Sequence, residues 1–135
     1  MKAECPLSEE CIHTLLQAAR EGKKRSYSPY SHYPVGAAVL TEEGHIFQGC
    51  NVENTSYPAG FCAEQNAIGS AIAAGQRTFL AIAVVGEEKK ETLPCGICRQ
   101  VLAEFHVPYV ICGTEAGYHV YTLKELLPYA FEMRD

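Results

Sequence analysis

Near the start of the chain apolar residues recur at helical spacing. Ile12, Leu15, Leu16 and Ala19 fall at i, i+3, i+4 and i+7, and Ser8 stands where an N-cap belongs, so a helix is predicted from Ser8 to about Lys24. The Ser/Pro/Tyr stretch "SYSPYSHYP" follows and cannot be helical through its two prolines. "VGAAVL" and "HIFQGC", separated by "TEEG", read as two strands of a hairpin. A polar loop, "NVENTSYPAG", leads to an Ala-rich helix from about Phe61 to Ala74, with Gly75 as its stop. "LAIAVVG" is a continuous apolar run suited to a strand buried on both faces. Pro94 suits a helix start in "PCGICRQVLAEF". "YVIC" and "HVYTL" read as two further strands around the turn "GTEAG", and "TLKELLPYAF" as a capped helical turn stopped by Pro128. The order αββαβαββα predicts an α/β fold: one mixed five-stranded sheet with helices on both faces, a three-layer α/β/α arrangement in a single domain over residues 1–135.

Composition narrows the function classes. A formal charge of −5 disfavours a polyanionic partner such as nucleic acid, which needs clustered Lys and Arg. The densest basic run, "GKKRSY", closes the first helix, where cations meet the negative end of its dipole. No apolar run approaches the roughly 20 residues that span a bilayer, and "MKAECPLSEECIHTLL" lacks the apolar core of a secretory leader. A cytoplasmic protein without a membrane partner is expected. In that compartment seven cysteines read as reduced thiols, metal ligands or catalytic groups rather than as a disulfide framework.

The chemistry gathers at two helix starts. Cys95 and Cys98 form a C-x-x-C, which alone is compatible with either a redox pair or half of a metal site. Cys62 also opens a helix, where free N–H groups and the dipole favour a thiolate. Two helices aimed at one point would bring three sulfurs together, and zinc takes such ligands tetrahedrally. A fourth protein ligand would close a structural site, with Cys50 the candidate, whereas a catalytic site leaves that position to water. Glu64, two residues after Cys62, favours the second reading, because water activated by a metal needs a base beside it. A lone Glu there would otherwise simply suit the helix dipole.

C-A-E followed by P-C-x-x-C resembles the zinc nucleoside deaminases. "YSPYSHYPVGAAVL", "GCNVENTSYP", "PCGICRQ" and "ELLPYAF" extend the likeness to the small cytidine deaminases over most of the chain. The resemblance implies one Zn²⁺ per subunit on Cys62, Cys95 and Cys98, and hydrolysis of cytidine and 2′-deoxycytidine to the uridines and ammonia. It makes Glu64 the proton carrier and the Ala63 N–H the partner of the pyrimidine O2. It also gives Asn51 and Glu53 to the ribose 3′-hydroxyl, with Tyr33 packed nearby. The family is typically a homotetramer that shares residues between active sites, and Tyr57 and Phe131 match the donated ones, Phe131 stacking on the base. Read without the family, Asn51 is a turn former, Tyr33 a core aromatic and Phe131 an anchor for the carboxyl terminus.

Two positions depart from the pattern. Gln65 stands where Arg is common, and Leu93 where Ser or Thr is common. Three thiolates on Zn²⁺ carry a net charge of about −1, which weakens the metal as a Lewis acid. Arg99 is then expected to hydrogen-bond the sulfurs alone, with Gln65 donating an uncharged N–H. The resemblance implies that the contact at position 93 comes from the backbone carbonyl to the substrate amino group, so Leu93 is expected to be tolerated. His32 and His106 are expected on the surface or in loops. Competing readings are a deaminase of another cytosine-bearing molecule such as blasticidin S, a polynucleotide deaminase, and a non-catalytic zinc-stabilised binding module. "NVEN", fitted to a nucleoside sugar, opposes the first, and the acidic charge opposes the second.

Overall fold

The computed structural model describes residues 7–133. Helix α1 spans Glu9–Lys23, and the Ser8 hydroxyl accepts a hydrogen bond from the Cys11 N–H at 3.1 Å, as an N-cap should. Strands β1 (Gly36–Thr41) and β2 (Ile46–Cys50) form the hairpin, and α2 (Ala63–Ala73) follows a loop that contains one 3-10 turn, Tyr57–Ala59. Then come β3 (Phe79–Val85), α3 (Gly96–Glu104), β4 (Tyr109–Thr114), β5 (Gly117–Thr122) and the short α4 (Leu123–Leu126). The predicted element order and the mixed five-stranded sheet are both present.

The strands lie in the order β2-β1-β3-β4-β5. β1 is antiparallel to both β2 and β3, while β3 and β4 are parallel and β5 turns back antiparallel to β4. It follows that β2, β3 and β4 all point one way, so the loops after β2 and β3 leave the same edge of the sheet. Period-two alternation divides the core. Ala38 and Leu40 of β1, with Ala81 and Ala83 of β3, face Ile12, Leu15, Leu16 and Ala19 of α1. Ala37, Val39, Ile82 and Val84 face the other way, against Ala67, Ile68 and Ala71 of α2 and Leu102 of α3.

Two helix starts differ from the sequence reading. α2 begins at Ala63 rather than near Phe61, because Phe61 pairs with Val52 in an antiparallel bridge and extends the backbone up to Cys62. Cys62 is therefore the N-cap. At α3 the N-cap is Cys95, in extended conformation, with Pro94 buried just before it. The two cysteines thus occupy equivalent positions on their helices.

Helix α2 lies unusually close to β2. A Cβ added at Gly49 would sit 2.3 Å from the Ala63 carbonyl oxygen and 2.4 Å from the Ala67 nitrogen, so only glycine admits this approach. The Asn66 carboxamide accepts the Cys50 N–H at 3.1 Å and sets the helix's register on the strand. We expect Gly49→Ala to destabilise the protein by about 2 kcal/mol or more, as overpacking against backbone does. Gly69, on the exposed side of α2 with open space around it, should respond to Gly69→Ala with a gain of up to ~1 kcal/mol. Denaturation midpoints of the two variants check this contrast; equal midpoints would refute the close-approach argument.

Candidate active site

Where the two loops leave the sheet edge, the starts of α2 and α3 converge. The sulfurs of Cys62, Cys95 and Cys98 lie within 4.8 Å of one another, with Cys62 Sγ and Cys95 Sγ 4.0 Å apart. A tetrahedral ion with ~2.3 Å metal–sulfur bonds needs sulfurs about 3.8 Å apart, so this set is close to a ligand shell. Among the described residues it is the one such cluster of His, Cys, Asp or Glu. Cys50 is not in it: its thiol points to the Arg25 carbonyl oxygen at 3.6 Å, so the closed four-cysteine alternative fails.

One of the three thiols, Cys62, is prepared to lose its proton. The Cys98 S–H donates to Cys62, and this contact outweighs burial and lowers the Cys62 pKa, with Cys95 adding a second hydrogen bond. The same bond, followed by burial and the Glu64 charge, drives the Cys98 thiol in the opposite direction. A shared proton of this kind is what a cation displaces on binding. An all-sulfur donor set at two helix N-termini fits Zn²⁺, with three protein ligands and room for a fourth from solvent.

Glu64 stands in the first turn of α2 with 4% of its surface exposed. Burial, chiefly, pushes its pKa up to about 7; the Cys62 charge raises it further, while the Glu64 backbone N–H and the Cys98 thiol pull it down. A carboxyl with that pKa exchanges its proton at neutral pH. It borders a cavity of about 520 Å³ walled by parts of segments 30–35, 51–64 and 92–95. Ala63, Asn51, Glu53 and Tyr57 also line this cavity. Among the described residues its lining contains no Lys, Arg or His; the acidic side chains in it are Glu53 and Glu64.

The loop "YSPYSHYP" explains how the outer wall is held. Glu53 Oε1 accepts the backbone N–H groups of Tyr30 at 3.0 Å and Ser31 at 3.1 Å, and Oε2 accepts the Ser31 hydroxyl. That hydroxyl contact leads the causes that lower the Glu53 pKa, over an opposing burial effect, so the group is an anion at neutral pH. Asn51 Oδ1 accepts from Ser26 Oγ and from the Val35 N–H at 2.9 Å, and Nδ2 donates to the Tyr33 carbonyl at 3.0 Å. One Nδ2 hydrogen is left for the cavity. Tyr33 does not line it: its hydroxyl bonds Thr92 Oγ1 at 2.7 Å and ties this loop to the one before α3.

Gln65 and Arg99 take partners other than sulfur. Gln65 Oε1 accepts the Cys62 backbone N–H at 3.0 Å, closing a cap on α2. Arg99 donates from Nε to the Pro94 carbonyl and from Nη1 to the Leu126 carbonyl, each at 2.7 Å. Neither side chain makes the expected donation to a cysteine sulfur, because each satisfies a backbone group at a helix end instead. Phe131 lies outside the cavity, 70% exposed, its carbonyl held by Gln100 Nε2 at 3.0 Å; Tyr57 is 76% exposed at the cavity's edge. His32 and His106 are exposed, as expected.

Tyr30, Ser31 and Thr92 belong to the site and were not singled out from the sequence. The available signal was the density of hydroxyl groups in "SYSPYSHYP", which in a loop serves as readily to bond solvent as to build a wall.

Comparison with known proteins agrees with this geometry. Residues 9–114 match the model of the cytidine and deoxycytidylate deaminase zinc-binding region. A cytidine deaminase of Sporosarcina psychrophila is 39% identical over 127 residues, covering 92% of this chain and 93% of that one. The crystal structure of a cytidine deaminase from Burkholderia pseudomallei superposes with a TM-score of 0.85 at 44% identity, covering 93% of this chain and 100% of that one. That from Mycobacterium tuberculosis gives 0.78 at 36% identity, covering 90% and 97%. With its three convergent cysteines, its buried glutamate and a match along nearly its whole length, the chain belongs to the zinc-binding cytidine and deoxycytidylate deaminase family.

Proposed function

We propose that this chain hydrolyses cytidine and 2′-deoxycytidine to uridine and 2′-deoxyuridine, releasing ammonia, and that it does so as a single cytoplasmic domain assembled into a homotetramer. The observation that carries this reading is the Glu64 carboxyl, buried beside three sulfurs at the foot of a cavity without cations. Zn²⁺ bound by Cys62, Cys95 and Cys98 supplies the Lewis acidity that makes water a nucleophile near neutral pH.

The chain's own groups do the rest. Glu64 takes a proton from the attacking water and delivers it to N3 of cytosine, which makes C4 more electrophilic. Once the hydroxyl has added to C4, Glu64 takes its remaining O–H proton and gives it to the amino nitrogen. The C4–N bond then breaks, ammonia leaves and C4 becomes a carbonyl. Glu64 acts as base and then as acid, and a pKa of about 7 suits both roles. The Ala63 N–H, at the positive end of α2, holds the pyrimidine O2. The Leu93 carbonyl faces the amino group. Glu53, fixed by Tyr30 and Ser31, and the free Nδ2 hydrogen of Asn51 hold the sugar hydroxyl. Tyr57 and Phe131, exposed on one chain, complete a neighbour's site, Phe131 against the base. No helix among the described residues is long and apolar enough to cross a membrane.

Three outcomes follow. Zinc-loaded protein should release ammonia from cytidine and deoxycytidine, and Glu64→Ala should cut kcat by at least about 10³-fold while zinc content stays at one per chain. Turnover surviving in Glu64→Ala would remove the proton-carrier role, and turnover of a cytosine antibiotic with cytidine untouched would replace the sugar assignment.

A substrate phosphate would meet the Glu53 carboxylate with no cationic side chain among the described lining residues to pair with. The 5′-monophosphate should therefore be used at least about a hundredfold less efficiently than the nucleoside in kcat/KM. Comparable efficiencies would mean that a neighbouring chain supplies the missing charge.

Metal-free protein should report the buried carboxyl directly. A raised acid pKa means that the folded state prefers the proton, so stability present below the unfolded value of 4.5 is lost as pH rises toward 7. Glu64→Gln should match wild type near pH 4.5 and be the more stable by about 3 kcal/mol at pH 8. Parallel stability curves across that window would count against the desolvated carboxyl.

A further inference from the structure

Segment 86–95 runs between β3 and α3 with no helix or strand of its own, yet Thr92, Leu93 and Cys95 form one wall of the cavity. Apart from the Glu115 N–H donating to the Glu88 carbonyl at 2.8 Å, the segment keeps its shape through the side chains that hold it. Its root is secured by α1, where Arg20 Nε pairs with Glu88 Oε1 at 2.7 Å and Lys23 Nζ lies 3.7 Å from Glu88 Oε2. The part beside the substrate is secured by something else.

Glu91 Oε1 accepts the Tyr121 hydroxyl, and Glu91 Oε2 meets His119 Nδ1. His119 and Tyr121 alternate by two along β5 and so stand on one face of the edge strand, presenting two ring donors to one carboxylate. On the far side Thr92 Oγ1 bonds the Tyr33 hydroxyl at 2.7 Å, and the Pro94 carbonyl is held by Arg99 Nε. Leu93, which carries no tether of its own among these, is suspended between Glu91–Thr92 and Pro94. Burial raises the Glu91 pKa, but the Tyr121 and His119 hydrogen bonds outweigh it and hold the group below its ordinary value. The same bond pushes Tyr121 up to about 12. The His119 side chain is 59% exposed, so its contact contributes little by itself; the part-buried hydrogen bond from Tyr121, on a ring fixed to the strand, is the main anchor.

We propose that Glu91 is a positioning residue for substrate: anchored to Tyr121 and His119 on β5, it holds the Thr92–Leu93 wall of the cavity in its binding geometry. It touches none of the reacting groups, so its removal loosens binding and leaves the proton transfers of Glu64 intact. The kinetic part of this statement rests on the cytidine deaminase reading above; the structural part does not.

The test uses the zinc-loaded full chain. Glu91→Ala should raise KM for cytidine about tenfold with kcat within about twofold and zinc still at one per chain, the pattern of lost uniform binding. Tyr121→Phe should move KM in the same direction by a smaller factor, and the double variant should be no worse than Glu91→Ala alone, since both remove one anchor. Amide hydrogen exchange in segment 91–94 should quicken in Glu91→Ala while α2 and α3 keep their protection. A loss that falls on kcat or on zinc content, an additive double variant, or unchanged exchange in 91–94 overturns the proposal. If wild type does not turn over cytidine at all, the deaminase reading fails, and the exchange measurement still decides whether Glu91 holds the wall.

Discussion

The site depends on one constraint: two helices must begin at the same point with their backbone N–H groups free. β2 and β3 are parallel because each is antiparallel to β1, and that places the loops leading to α2 and α3 on a single sheet edge. Convergence alone would leave the thiols too loosely placed. Gly49 lets α2 settle against the β2 backbone, and Asn66 bonds the Cys50 N–H, so Cys62 is set by strand geometry rather than by its loop. Small residues on the buried face of α2, Ala63, Ala67 and Ala71, serve the same approach. An Ala-rich helix here is a consequence of distance, not only of helix propensity.

That arrangement has an electrostatic cost. Three thiols, of which Cys95 is exposed, share one corner with a buried carboxyl. Among the described residues no guanidinium donates to a sulfur, Arg99 bonding the Pro94 and Leu126 carbonyls instead. Gln65, uncharged, caps Cys62 through its carbonyl oxygen. Without a cation the corner copes by sharing protons: Cys98 donates to Cys62, and Glu64 holds its proton up to about pH 7. A divalent ion resolves the conflict by replacing those protons with charge, and the dipoles of α2 and α3 act in the same sense. The glutamate whose burial beside the thiols costs stability is thus the group whose pKa suits proton transfer.

Much of this was legible in the chain. Cys62, Glu64, Cys95 and Cys98 announce themselves by spacing, because metal ligation demands particular residue types at helix starts and leaves few substitutes. The strand pattern gave the layers, since alternation along β1 sorts Ala37 and Val39 from Ala38 and Leu40. What stayed hidden were pairings between distant segments. Nothing near Phe61 says that it will bridge Val52 and delay α2. Nothing near Tyr33 says that its hydroxyl will reach Thr92 instead of the cavity. Arg99 looked like a partner for sulfur because it adjoins Cys98, yet the carbonyls that claim it lie at positions 94 and 126. Local spacing speaks for ligands, and long-range hydrogen bonds speak only in three dimensions.

The surface of the single chain carries the last step. Tyr27, Tyr30, Tyr57, Phe61 and Leu93 are each more than two-fifths exposed, from 42% at Leu93 to 76% at Tyr57, and several border the cavity mouth. Isolated apolar residues on a surface mean little, whereas aromatics gathered around an opening mark a place where something else packs. At the other end Tyr129, Phe131 and Met133 project from a segment held to α3 through Gln100, with 70% or more of each exposed. A cavity rimmed by unpacked rings and a carboxyl-terminal segment that exposes apolar side chains are complementary needs, and a second copy of the same chain would offer both. The proposed homotetramer would answer a deficit visible in one chain: a nucleoside base needs a face to stack on, and the groups suited to that role lie on the outside of the chain that carries them.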